Sequence, residues 1–131
     1  MIRSDYEVYA EDTAVGASDQ VGDILNHGAP RTDYDDGGLG SGGVQRELHV
    51  VVKTSFSEST SQQFVLETAS DEAFTAPETL ATTPVVAVAD LVKGAVITAL
   101  INRGGQQYSR VRSVGVGTAE ESGEVDIFTA Y

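Results

Sequence analysis

The sequence predicts an all-β fold: a jelly-roll or related antiparallel β-sandwich carrying an extended N-terminal arm. Three observations predict it. Beyond residue 45 the chain is a succession of short runs that alternate apolar and polar residues or are apolar throughout, as half-buried and fully buried strands do. Turn-forming residues separate these runs at Ser57–Ser61, Ser70–Asp71, Pro84, Lys93–Gly94, Arg103–Gly105 and Glu120–Gly123. No period of roughly 20–50 residues repeats along the chain, which sets aside solenoids and propellers. A length of 131 residues gives one domain a proper core and is too short for two.

Residues 1–45 read as an extended, acidic, glycine-rich arm and loop. Tyr6, Val8, Val21, Ile24 and Leu25 give room for one or two short strands, but acids and glycines interrupt them. Residues 46–131 read as the sandwich. "LHVVVKTSF" places Leu48, Val50, Val52 and Phe56 on one face and His49 on the other. "SQQFVLETA" does the same with Phe64 and Leu66. "PVVAVAD" and "AVITALI" are nearly continuous apolar runs, expected as strands buried on both sides. "QQYSRVRSVGVG" and "GEVDIFTAY" alternate again. Over 79–92 a helix competes, but Pro84 and the β-branched Thr83, Val85, Val86 and Val88 argue against one long helix. A single helical turn at Asp71–Phe74, capped by Ser70 or Asp71, fits the local residues.

Charge narrows the function classes. The net charge is −12, from 8 Lys and Arg against 20 Asp and Glu. A phosphate backbone would be repelled, so nucleic-acid binding is not expected. Up to Asp36 the acids Asp5, Glu7, Glu11, Asp12, Asp19, Asp23, Asp33, Asp35 and Asp36 face only Arg3 and Arg31, which puts −7 of the −12 in that stretch. Such a run is a solvated surface, or an arm that docks on a basic partner. No apolar stretch approaches the roughly 20 residues of a membrane span, and "MIRSDYEVYAEDTAV" lacks the apolar region of a secretion signal. With no cysteine, thiolate chemistry and disulfides are both excluded.

Candidate chemical sites thin out on inspection. "DYDDGGLGSGG" carries Asp33, Asp35 and Asp36, yet a calcium loop counted from Asp33 meets Gly37 at position 5 and Val44 at position 12, where carboxylates are needed. The stretch reads as a hinge, and no metal or cofactor is expected. His27 and His49 lack metal-ligand spacing and read as surface or interface histidines. No G-x-S-x-G elbow, Walker loop or dinucleotide fingerprint occurs, so no enzyme activity is expected. Arg110 and Arg112 share one strand face, either paired with the chain's own acids or free to clamp a partner's carboxylates.

The segment from Phe64 to Tyr131 carries Leu66-x-Thr68 leading into Ser70-Asp71, then Phe74 and Pro77, then Leu91, Gly94 and Tyr108-x-Arg110 before the closing strands. In that order and spacing it resembles the capsid cement, or decoration, proteins of tailed bacteriophages. The resemblance covers roughly residues 45–131. It departs from the family in the glycine-rich insert at 35–43 and the acidic start. It implies a jelly roll on the outer surface of an icosahedral shell, assembled in the host cytoplasm, with the major capsid protein and further copies of itself, as dimer or trimer, as partners. Leu66, Thr68, Ser70, Asp71, Phe74 and Pro77 would be turn and anchor residues, with Phe74 returning to the core. Tyr6, Tyr9, Asp12, Arg110, Arg112, Phe128 and Tyr131 are the contact candidates, since tyrosine and arginine favour interfaces. Other readings are a carbohydrate-binding or adhesion sandwich, disfavoured by the absence of Trp and 7% aromatics, and a phage tail or neck protein.

Overall fold

The computed structural model describes residues 3–16, 20–27, 46–101, 105–117 and 123–130. Its strands are β1 (Arg3–Ala14), β2 (Gln20–Asn26), β3 (Arg46–Thr54), β4 (Ser59–Ala69), β5 (Glu78–Thr82), β6 (Val86–Ala87), β7 (Val96–Ile101), β8 (Tyr108–Gly117) and β9 (Glu124–Ala130), with a 3-10 turn at Val88–Asp90. They form two antiparallel sheets, one ordered β1-β9-β3-β7 and the other β2-β8-β4-β5, with β6 also on β4. The first strand pairs with the last, β2 with β8, β3 with β7 and β4 with β5. This is a long hairpin rolled onto itself, the jelly-roll arrangement.

Period-2 alternation fills the space between the sheets. Leu48, Val50 and Val52 of β3 point inward with Val125 and Ile127 of β9 and Ile97 and Ile101 of β7. Phe64 and Leu66 of β4, Val111 of β8, Val21 of β2 and Leu80 of β5 meet them from the other sheet. Each such side chain contributes about 1.5–3 kcal/mol by leaving water, and no disulfide supplements them. Phe56 and Leu91 close one end, their segments joined by Phe56 N–H donating to Leu91 O at 2.9 Å.

The described residues 3–16 and 20–27 are part of the sandwich and not a lead-in outside it. β1 and β2 each complete a sheet, and Tyr9, Val15 and Val21 belong to the core at 0–1% exposure. Bulges conceal this from a pattern reading. Val8 pairs with Phe128 and Ala10 with Ile127, so Tyr9 is the extra residue and swings into the core beside Ala10. Register also shifts between Arg3 and Val8 and again between Ala10 and Thr13, where Asp12 sits at φ 45° with its N–H donating to the Asp126 carboxylate at 2.8 Å. Residues 31–45, with the candidate calcium acids Asp33, Asp35 and Asp36, lie outside the described residues.

Two other expectations are corrected. "PVVAVAD" is not a strand buried on both faces: it supplies only β6 and the 3-10 turn, with Val85 62% exposed. β5 and β6 line the same edge of β4, broken at Pro84, which has no N–H to give. Thr83 patches the break, its N–H donating to Phe64 O and its hydroxyl accepting from Phe64 N–H, both at 2.9 Å. "AVITALI" is also covered on one face only. As β7 it is an edge strand, with Val96 and Leu100 turned out at 53% and 56% exposure.

Where the chain passes from one sheet to the other, β1 and β2 touch backbone to backbone. Gly22 has φ +77°, and a Cβ there would lie 1.9 Å from the Tyr9 carbonyl oxygen. Gly94 has φ +93° but open space around it. Gly94→Ala should therefore cost about 1–2 kcal/mol from backbone strain alone. Gly22→Ala adds overpacking and should cost about 3 kcal/mol or more. Urea unfolding of both variants reads this ordering directly.

Candidate contact surfaces

The outer face of the second sheet is built on one buried carboxylate. Glu67 of β4 stands directly opposite Arg110 of β8, and Val65 opposite Arg112. The Glu67 side chain is 7% exposed and receives Arg110 Nε on Oε1 at 3.0 Å and Arg112 Nη2 on Oε2 at 3.4 Å. The two arginines that share a face in the sequence thus share one internal acid. Arg110 is further held from above, its guanidinium carbon 4.2 Å from the centroid of the Phe74 ring, a cation–π contact.

The turn after β4 delivers that ring. Phe74 N–H donates to Asp71 O at 3.1 Å, and the Asp71 carboxylate accepts the Thr75 hydroxyl at 2.6 Å. Phe74 sits at φ +52°, costly for a bulky residue, and the stack on Arg110 holds it there. Phe74 is buried, but on the outer face over Arg110 and not in the core between the sheets; the expected core anchor is corrected in this respect. Of the other anchors, Leu66 is in the core, Ser70 lies exposed in the bend and Pro77 directly precedes β5. Thr68 is buried, its hydroxyl donating to Tyr108 O at 2.8 Å and accepting from Gln106 N–H at 2.7 Å.

A second polar cluster has no sequence signal. Ser109 Oγ lies 2.7 Å from the Tyr9 hydroxyl and 2.6 Å from His27 Nε2. A serine bonded to histidine is the geometry of an activated nucleophile, but Ser109 is 0% exposed and its oxygen is also held by Tyr9. The cluster is a clip across β1, the end of β2 and β8. Serine and histidine stand 82 residues apart in sequence, so only the fold brings them together.

The contact candidates divide accordingly. Tyr9 and Phe128 are corrected: both are buried, Tyr9 in the core and Phe128 stacked on His49 at 5.6 Å with the rings 5° apart. His49 is itself 9% exposed, with Nε2 3.2 Å from Glu47 Oε2, so it is not a surface histidine. Arg110 is committed to Glu67 and Phe74. Arg112, with 41% of its side chain exposed, and Asp12 keep accessible surface. Tyr6 lies in β1 with its side chain outside the described residues, and Tyr131 also lies outside them.

A cleft of about 350 Å³ runs between β1 and β2, lined by Val8, Tyr9, Ala10, Glu11, Thr13, Gly22 and Asp23. Among the described residues, no three His, Asp or Glu side chains group closely enough to hold a metal ion. No protein-family model and no curated protein matches the sequence.

Two stability measurements check these clusters. Glu67→Gln should cost about 2–3 kcal/mol, below the roughly 3–5 of a fully buried pair because Arg112 is half-exposed, and Arg110→Gln should cost more than Arg112→Gln. Ser109→Ala should cost about 1–3 kcal/mol, the usual result of leaving buried polar groups without a partner; a Tyr9→Phe background should absorb part of that loss in a double-mutant cycle.

Proposed function

We propose that this chain is a structural virion protein, a capsid cement protein that binds the outside of an icosahedral phage head and bridges neighbouring major capsid protein subunits. The resemblance over Phe64–Tyr131 and the jelly-roll pairing of the strands support this reading. The observation that carries it is a group of exposed valines on the outer face of the second sheet, interleaved with the uncharged Ser61 and Gln63. Val116 and Ala87 flank Ser61 from its two sides, with Val114 beside Gln63 in the next row and Val85 leading into β6. Val116 and Val85 are 57% and 62% exposed. Exposed, uncharged, largely apolar ground bordered by an arginine suits a protein surface, whereas a small ligand needs concavity. Phe56, Phe64, Phe74, Phe128 and Tyr9 are all buried, so these rings pack the protein and do not form a sugar platform.

Each copy would add a modest contact, on the scale of roughly 800 Å² per partner, and repetition over the shell would supply avidity. This ground on β4, β6 and β8, with Arg112 at its border, becomes the favoured docking face. Deleting residues 1–20 does not test this, because it removes β1 with Tyr9 and Val15 from the core. The direct test is cosedimentation of the purified chain with shells assembled from the major capsid protein of the same genome. Saturable binding at one or more copies per capsomer is expected, weakened about tenfold or more, or 1.4 kcal/mol, by Val116→Asp with the melting temperature unchanged. Failure of the wild-type chain to bind, or its location only at a tail or neck, overturns the reading.

A further inference from the structure

We infer that β7 is the edge through which two copies of this chain pair, forming an antiparallel β7–β7 junction with Thr98 on the twofold axis. Sheet edges invite pairing, and proteins blunt them with charges, prolines, glycines or bulges. Three edges of this sandwich carry such devices: β1 is acidic and shifts register three times along β9, β2 is bulged between Val21 and Leu25 beside Asp23, and the β5–β6 edge is broken by Pro84. The fourth edge carries none. β7 reads Val-Ile-Thr-Ala-Leu-Ile, without charge, Pro or Gly, and pairs with β3 over six consecutive residues without a register shift. Among the described residues its other side has no strand.

The residue pattern of β7 selects a second copy as its occupant, and charge restricts where that copy can dock. Two copies each at −12 repel one another, and β7 is where they can meet without setting carboxylates face to face. Its pattern also matches itself. In an antiparallel pair, directly opposite residues share a face, so the outward Val96, Thr98 and Leu100 must oppose outward residues. Thr98 against Thr98 then places Val96 against Leu100 on both sides of the axis, a favourable threonine pair flanked by two apolar ones. The two four-stranded sheets become one continuous sheet. The junction is small beside a standard interface, so pairing depends on concentration. It also strengthens with salt, since raising ionic strength from about 0.01 to 0.15 M shortens the screening length from about 30 to 8 Å.

The absence of native cysteine permits a clean test on the full chain, without shells, so its outcome is independent of capsid binding. Opposed Cα atoms in an antiparallel pair are about 4.5–5.5 Å apart, within the roughly 4.4–6.8 Å a disulfide spans. Thr98→Cys should yield a disulfide-linked dimer on mild oxidation. Leu100→Cys should not, because its twin lies roughly 13 Å along the strand, although a mixture of Val96→Cys and Leu100→Cys chains should cross-link to each other. In sedimentation velocity the wild-type chain should dimerise with rising concentration and salt, and Val96→Lys should remain monomeric with unchanged melting. The inference is overturned if Thr98→Cys stays monomeric, if Leu100→Cys links to itself as readily, or if the wild-type chain is monomeric while Val96→Lys loses binding to a different protein.

Discussion

The crossing of β1 over β2 sets the rest of the molecule. A rolled hairpin must carry its outer strands from one sheet to the other, and here the transfer happens within a few residues of Gly22. The Tyr9 carbonyl rests against Gly22 with no room for a side chain, while the Tyr9 hydroxyl reaches Ser109 and, through it, His27. Val15 N–H to Gly123 O at 3.1 Å and the Ser113 hydroxyl to Gly16 O at 2.7 Å fasten the chain beyond the crossing. One aromatic residue, placed by a bulge, therefore fills the core, seats the backbone of the neighbouring sheet and satisfies a buried hydroxyl. Hydrophobic packing alone would let the sheets slide; these directional bonds fix their register.

Charge is arranged by the same logic. The described cations are largely committed inside the chain: Arg110 and Arg112 to Glu67, Lys53 to Asp126 at 3.7 Å. Asp126 also accepts the N–H that the β1 bulge leaves at Asp12, so one carboxylate repairs a backbone irregularity while its other oxygen faces a lysine. Among the described residues, acids such as Asp23, Glu72 and Asp90 stay exposed. A surface of that sign offers two ways to bind: a basic partner, or the uncharged ground on β7 and around Val116.

How much of this was legible depended on whether period 2 survived. In β3, β4, β8 and β9 it did, and Leu48, Val50, Val52, Phe64 and Leu66 stand where alternation puts them. In β1 and β2 the bulges shift the phase, so strands 12 and 7 residues long looked like an irregular arm. β7 has the pattern of a doubly buried strand because apolar residues on both faces say what a strand could cover, and nothing about whether a neighbour exists to cover it. Glu67 could not be singled out among 20 acids, although the two arginines that find it were visible as a pair. Phe74 is recognisable in the sequence as an anchor, but its ring covers an arginine because the Asp71–Thr75 turn brings it back over the sheet's outer side.

Mechanics separates the surfaces on which a partner can usefully pull. Arg3 is opposite Ala130, so the two ends of the sandwich's first and last strands lie side by side. A load applied through the N-terminal segment would peel β1 from β9 one bond at a time along a ladder already weakened by register shifts. A load applied across the outer face of the second sheet acts instead on β4 and β8, whose pairing runs from Ser59–Gly117 to Ala69–Tyr108 with one shift near its start, and whose centre is tied by Glu67. Bonds sheared together resist better than bonds opened in sequence, so the proposed capsid-binding role would be better served by that face than by the acidic leading strand. The β7 edge lies in the other sheet, so the proposed pairing there would leave the proposed docking face open.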